Sequence, residues 1–212
     1  MLLSIIKRIL LRLLLQQKIE MENTQFIIQK DNTANPGPLG LCGFGLSTIL
    51  LNLHNAGLFG MDTMILAMGI FFGGITQIIV GSMEWKKNNI FGTMAFTSYG
   101  SFWLILVALL VMPKMGLGEA PTPIAMGYFL TVWGILSLGF FVVTIKLGRA
   151  MMILFASVVI LFALLAAANF TGNHTIHIIA GIEGVICGSI AIYIAMAQLF
   201  ETVYGRQILP LK

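Results

Sequence analysis

Charge is what this sequence most lacks. Only 9% of its 212 residues are Asp, Glu, Lys or Arg, against roughly a quarter in soluble globular domains. A water-facing surface cannot be built from that set. Cysteine is nearly missing too: Cys42 and Cys187 both sit in apolar runs, with no C-x-x-C pair and no histidine at ligand spacing. Both read as small buried packing residues. No basic cluster is interleaved with aromatics, so nothing supports a nucleic-acid partner. The three histidines, His54, His174 and His177, lie near helix ends without the convergent ligands a metal needs, and no metal or cofactor is expected.

Apolar length is what the chain has in abundance, with 58% hydrophobic residues. Six stretches, 39–60, 63–83, 91–112, 124–145, 150–171 and 176–200, each approach the ~20 residues that cross a hydrocarbon core. Open strands would leave backbone groups unpaired in lipid, and the runs lack the alternation of a barrel. The expected fold is therefore all-α, a polytopic membrane protein of six transmembrane helices. Short polar connections join them, at 60–62, 84–89, 113–123, 146–149 and 172–175. The domain limits are an N-terminal extension at 1–34, a transmembrane domain at 35–205 and a tail at 206–212.

Basic residues orient the bundle. Lys7, Arg8, Arg12, Lys18, Lys30, Lys86, Lys87, Lys146, Arg149, Arg206 and Lys212 fall on one side, and Lys114 alone on the other. The positive-inside rule places both termini in the cytoplasm of a cell inner (plasma) membrane protein. In the extension, Ser4, Arg8, Arg12 and Gln16 recur every four residues on a Leu/Ile-rich segment. Two readings stand for residues 1–20: a basic amphipathic helix on the inner leaflet, or a stretch ahead of a true start at Met21. Residues 22–34 read as a flexible polar linker.

Polar side chains inside lipid-spanning helices are costly and mark functional candidates. Thr48 and Asn52 in the first span, Gln77 in the second and Ser98 in the third are candidates for a substrate path. Hydroxyl back-bonding to their own helix and interhelical hydrogen bonding are the competing readings. Glu183 is the one carboxyl read as embedded in a helix, about 10 Å from the start of the last span at 1.5 Å per residue. No embedded Lys or Arg meets it, which favours its neutral form. It is either a proton relay or a hydrogen-bonding link between helices. Gly69 with Gly73, and Gly184 with Gly188, form G-x-x-x-G rows that suit close helix approach, within a compact bundle or between subunits. Ahead of the first span, Pro36 and Pro38 fix the helix start, and free N–H groups at a helix N-terminus suit an anion. Asn35 belongs to that start.

The run Asn35-Pro36-Gly37-Pro38-Leu39-Gly40-Leu41 resembles the N-P-A-P-L-G-L signature of the acetate uptake transporter family, with Gly37 in place of alanine. The likeness continues through GFGLSTILLNLHNAG (43–57), ILAMGIFFGGITQI (65–78), AFTSYGSFW (95–103), LFALLA (161–166), ICG (186–188) and AIYIAM (191–196), and so covers about residues 33–210. It implies a six-helix protomer with a pore of its own, assembled as a homo-hexamer in the lipid bilayer. The implied cargo is acetate, and in some members succinate, moved with protons or as an anion through a channel. The family's pore is narrowed by a phenylalanine, a tyrosine and a leucine, which fall on Phe44, Tyr99 and Val158; valine at 158 is a departure. An apolar ring of this kind resists water and ions until it wets, and the Tyr99 hydroxyl is expected to greet a carboxylate.

The leading function is thus transport of small carboxylates along an uncharged, hydrogen-bonding path. The alternative is a channel for water, glycerol or ammonia. An enzyme is not expected, because no nucleophile, base and orienting group converge. Topology gives the first test. Reporters fused after Lys212 and near Met61 should report opposite sides of the membrane, with the C-terminal fusion cytoplasmic; a periplasmic signal from that fusion would sink the six-span arrangement.

Overall fold

The structure, a computed structural model, describes residues 2–23 and 33–211. All regular structure among them is helical. The chain divides into two compact units, Met1–Ala34 and Asn35–Lys212. The first contains helix α1, Leu2–Asn23, whose side chains from Ile6 to Lys18 are all exposed. The linker expected at 22–34 falls largely outside the described residues.

The second unit begins with α2, Gly37–Asn55. There follow α3 (Thr63–Ala67), a π-helical segment (Met68–Thr76) and α4 (Gln77–Lys86), which run on as one rod, then α5, Ile90–Val111. A short 3-10 turn, Pro113–Met115, leads to α6 (Pro123–Thr144), α7 (Arg149–Thr171) and α8 (His174–Tyr204). Five of these rods are long and apolar enough to cross a membrane: Thr63–Lys86, Ile90–Val111, Pro123–Thr144, Arg149–Thr171 and His174–Tyr204. The remaining one, α2, is shorter at 19 residues and carries Asn52, His54 and Asn55 near its end. It stops at Asn55 rather than at 60, because Gly57 turns the chain with φ +89°, a conformation that other residues resist.

Side-chain caps set the helix starts. Asp62 accepts from Ile65 N at 3.2 Å, Asn89 from Gly92 N at 3.1 Å and Thr122 from Ala125 N at 3.2 Å. Asn173 accepts from both Thr175 N and Ile176 N, at 2.9 and 3.3 Å. Each occupies an otherwise unpaired N–H of the first turn. The π segment was not legible in the residue pattern. Its wider turn is marked by Thr76, whose hydroxyl donates to the carbonyl five residues back, Phe71, at 2.9 Å.

The main packing surfaces are α2 on α8 and α6 on α7, with α4 on α5 and α7 on α8 completing the bundle. Glycine makes the first of these. A Cβ on Gly188 would stand 2.6 Å from the Gly45 carbonyl oxygen, and one on Gly45 would stand 2.7 Å from that of Gly188. Both G-x-x-x-G rows serve contacts within the protomer. Gly69 and Gly73 lie under Trp103, and Gly184 lies under Asn52.

Substitution at these positions should separate contact from propensity. Gly188→Ala pushes a methyl into backbone that cannot swing aside, and should lose about 1–3 kcal/mol. Gly139→Ala, with nothing within 4 Å of its Cβ, should be neutral or gain up to about 1 kcal/mol from helix propensity. Unfolding temperatures of the two variants in detergent micelles check this ordering.

Candidate functional site

A cavity of about 220 Å³ opens between α2, α4, α5, α7 and α8. Antiparallel alternation brings the start of α2, the end of α4, the start of α5, the start of α7 and the end of α8 to one side of the bundle, and these ends form its mouth. Asn35 and Asn89 stand exposed there, with Gln198 and the buried Glu84 also in the lining. Deeper in, the wall is aromatic and aliphatic. Phe44 lies two turns into α2 and Gln77 two turns back from Glu84, both about 10 Å in, while Tyr99 and Val158 lie about 14 Å along α5 and α7.

Phe44, Tyr99 and Val158 all line this cavity. The rings of Phe44 and Tyr99 are 5.7 Å apart at 53°. Tyr99 also meets Phe140 at 5.9 Å and Phe155 at 6.1 Å, and Phe91 closes the group against Phe155 at 5.3 Å. These tilted and edge-on pairings favour a fixed arrangement over a fluid one. The Tyr99 hydroxyl is not free to greet a substrate as a donor. It bonds Ser137 Oγ at 2.9 Å, and Ser137 in turn donates to the Trp133 carbonyl at 2.8 Å. The order of donors therefore directs the tyrosine proton at Ser137. A buried phenol takes whatever partner the neighbouring helix supplies, and here α6 supplies one.

Of the polar candidates, Asn35 and Gln77 line the cavity, whereas Thr48, Asn52 and Ser98 do not. Asn52 donates to the Thr48 carbonyl at 2.9 Å and accepts from Asn55 at 3.0 Å; Asn55 reaches His177 across on α8 at 3.2 Å. Thr48 and Asn52 thus belong to the α2–α8 seam. Ser98 is half-buried on another face of α5. His54 sits with its Nδ1 2.8 Å from the Phe59 carbonyl, holding the turn after α2.

The start of α2 offers no spare donors. Gly37 N donates to Asn35 Oδ1 at 3.0 Å, Leu39 N and Gly40 N both reach the Pro36 carbonyl at 3.1 and 3.3 Å, and the two prolines have no N–H. The anion site expected from free N–H groups is therefore closed by the Asn35 side chain and the chain's own turn. Glu183 does not line the cavity. It accepts a hydrogen bond from Ser157 on α7, and its Oε2 is buried without a partner.

Glu84 is the residue the sequence reading missed. It reads as part of a polar connection before Trp85-Lys86-Lys87, yet α4 runs through it and it is 4% exposed. Its Oε2 accepts from Asn89 Nδ2 at 2.7 Å. Glycine at 92 clears the space, since a Cβ there would stand 2.9 Å from the glutamate's Cγ. The available signal was Gly92 itself, three residues after a capping asparagine.

Gln77 carries a stability prediction. It is 1% exposed and its Oε1 has no hydrogen-bond partner, a cost that a shape-matched apolar side chain avoids. Gln77→Leu should therefore raise stability by about 1 kcal/mol, seen as a rise of roughly 2–4 °C in unfolding temperature for a chain of this size.

Comparison with known proteins bears on this cavity. Residues 18–206 match the model of the GPR1/FUN34/yaaH family. The succinate-acetate/proton symporter SatP of Escherichia coli K12 is 54% identical over 178 residues, covering 84% of this chain and 95% of that one. The ammonia transport outward protein 2 of Saccharomyces cerevisiae is 36% identical over 174 residues, 78% of this chain and 61% of that one. Among solved structures, that of the bacterial acetate channel SatP superposes with a TM-score of 0.84 at 54% identity, covering 85% of this chain and all of the other. The family match spans the helices that wall the cavity, and this multi-pass membrane protein belongs to the GPR1/FUN34/yaaH family.

Proposed function

We propose that the chain carries acetate, and with it succinate-sized carboxylates, across a cell inner membrane. The observation that supports this most is the cavity itself. It is reached past neutral carboxamides, lined within by aromatic rings and free of any lining Lys or Arg. A permanent cation would hold an anion tightly. Carboxamides and apolar walls bind weakly and release fast, which suits a transported rather than a stored ligand. At about 220 Å³ the cavity is roomier than a two-carbon acid needs. The SatP relatives are named for acetate and succinate, which favours the same cargo here.

In this reading α2 is the sixth crossing, both termini are cytoplasmic, and the cavity mouth faces the cytoplasm beside Lys86, Lys87, Lys146 and Arg149. The basic stripe of α1 lies along the inner leaflet. Protomers assemble as a homo-hexamer, as the family resemblance implies. Phe44, Tyr99 and Val158 form the constriction, and Gln77 is the polar group a passing acid meets beside it. Glu183, off the cavity wall, ties α8 to α7 through Ser157 and is the weaker choice for a proton relay. The second reading, passage of a small neutral solute, draws on the ammonia-transport name of the yeast relative and uses the same uncharged path.

Uptake of radiolabelled acetate into proteoliposomes tests the function, with labelled ammonium analogue and glycerol as competing cargo. Acetate should accumulate above empty vesicles and the others should not. Phe44→Ala should admit succinate or lactate more readily relative to acetate, and Val158→Leu should slow the larger acids most. If these residues only pack, truncation lowers the amount of folded protein and leaves the ratio of acids unchanged.

A further inference from the structure

Glu84 has a geometry that the transport path does not explain by itself. Its carboxyl group is buried just inside a mouth whose outer residues are exposed. Three acceptor oxygens converge there. Measured from the point where a Cβ on Gly37 would stand, Asn35 Oδ1 is 3.1 Å away, Glu84 Oε1 is 3.4 Å away and Gln198 Oε1 is 3.7 Å away. Asn35 Oδ1 is occupied by the Gly37 N–H and Glu84 Oε2 by Asn89. A buried carboxyl whose neighbours are mostly neutral is costly when charged. The groups turned to Glu84 are neutral on every neighbouring element: Asn35 and Gly37 from α2, Asn89 and Gly92 from the α5 end, Gln198 from α8. The charge acting on it is Lys87, three residues along its own connection.

We infer that Glu84 is the proton-accepting group of the transport path, holding the proton that a carboxylic acid gives up after passing the aromatic constriction. The inference rests on the transport reading above and adds a residue to it. A neutral acid is the form that crosses an apolar ring of Phe44, Tyr99 and Val158 at least cost, since an anion there would have no counter-charge. Having passed, the acid meets the Glu84 carboxylate. The substrate's O–H bond breaks, an O–H bond forms on Glu84, and the anion leaves toward the basic face of the mouth. Glu84 then yields its proton to cytoplasmic water and is reset. Export runs the same steps backward. The proton is passed between two carboxylates of similar intrinsic basicity, so neither direction is steeply uphill.

The experiment uses the full chain in proteoliposomes, with a pH-sensitive dye inside and radiolabelled acetate outside. The external pH is varied between mildly acidic and mildly alkaline at fixed internal pH, and rates are normalised to folded protein. Wild-type uptake should rise under an inward proton gradient. In Glu84→Gln, which keeps shape and neutral hydrogen bonding but has no base to take the proton, the uptake rate under the inward gradient should fall severalfold toward that of empty vesicles. Asn89→Asp keeps the helix cap but sets a second carboxyl against Glu84, which makes the pair hold a proton more tightly; its uptake profile should move to higher pH. That variant decides the matter if Glu84→Gln does not fold. An unchanged gradient-driven rate in Glu84→Gln, or an unmoved profile in Asn89→Asp, overturns the assignment while leaving transport intact. Uptake that needs sodium rather than a proton gradient also overturns it, by assigning the oxygen cluster to a cation. Wild-type uptake no greater than in empty vesicles removes the transport reading itself, and this assignment falls with it.

Discussion

The close approach of α2 to α8 is the contact on which the cavity depends. Gly45 and Gly188 each sit where the other's carbonyl oxygen leaves no room for a side chain, so two backbones meet directly. In lipid, where apolar side chains gain little by meeting one another, such van der Waals contact is what holds helices together. Its consequence is positional. Next to Gly45 the same helix presents Phe44 to the cavity, one turn earlier Leu41, and at its start Asn35. Along α8, Gln198 arrives at the mouth ten residues after Gly188. Moving the two helices apart by a methyl would displace both ends of the site at once.

Around that seam the polar groups divide by whether they are satisfied. Asn52, Asn55 and His177 link α2 to α8 in a chain of hydrogen bonds, and Tyr99 to Ser137 to Trp133 does the same between α5 and α6. These networks are closed. They cost little because each buried donor has an acceptor. Gln77 is different, being buried with its Oε1 unpartnered in the cavity region. In the transport reading proposed above, such a group is one end of an interaction that a passing acid completes. The π segment just before it contributes, since a widened turn resets which face the following residues present, and such segments recur at functional sites.

Much of the bundle was legible because lipid constrains it so strictly. Five rods follow from apolar length, and Asp62, Asn89, Thr122 and Asn173 are residue types that bond the first turn of a helix, here of four of the five. Position within a face was harder. Thr48, Asn52 and Ser98 have the chemistry of a substrate path, yet whether a side chain points to a pore, a seam or a neighbouring helix depends on rotation that hydropathy does not encode. Asn52 faces Gly184, and a glycine opposite an asparagine is a packing relation between helices more than 130 residues apart in the chain. The Ser137 partner of the Tyr99 hydroxyl, on α6, is likewise invisible without the fold. Phe44, Tyr99 and Val158 could be brought together only through the family resemblance, since nothing in their spacing says that three helices meet there.

Glu84 was hidden by the very rule that makes membrane sequences readable. Charge near a run of lysines marks the end of a span, and two lysines and a tryptophan follow it at once. The rule assumes that helix ends are wet. At a mouth they are wet on one side only, and the cavity draws the glutamate inward while Lys86 faces out. A carboxyl at such a boundary is close enough to water to exchange protons and dry enough for its charge state to matter. The same residue deep in the bundle would be locked neutral, and on the open surface it would be screened. Helix termini that ring a cavity mouth are therefore where a largely uncharged pathway can place a carboxyl group without filling the path with a permanent charge.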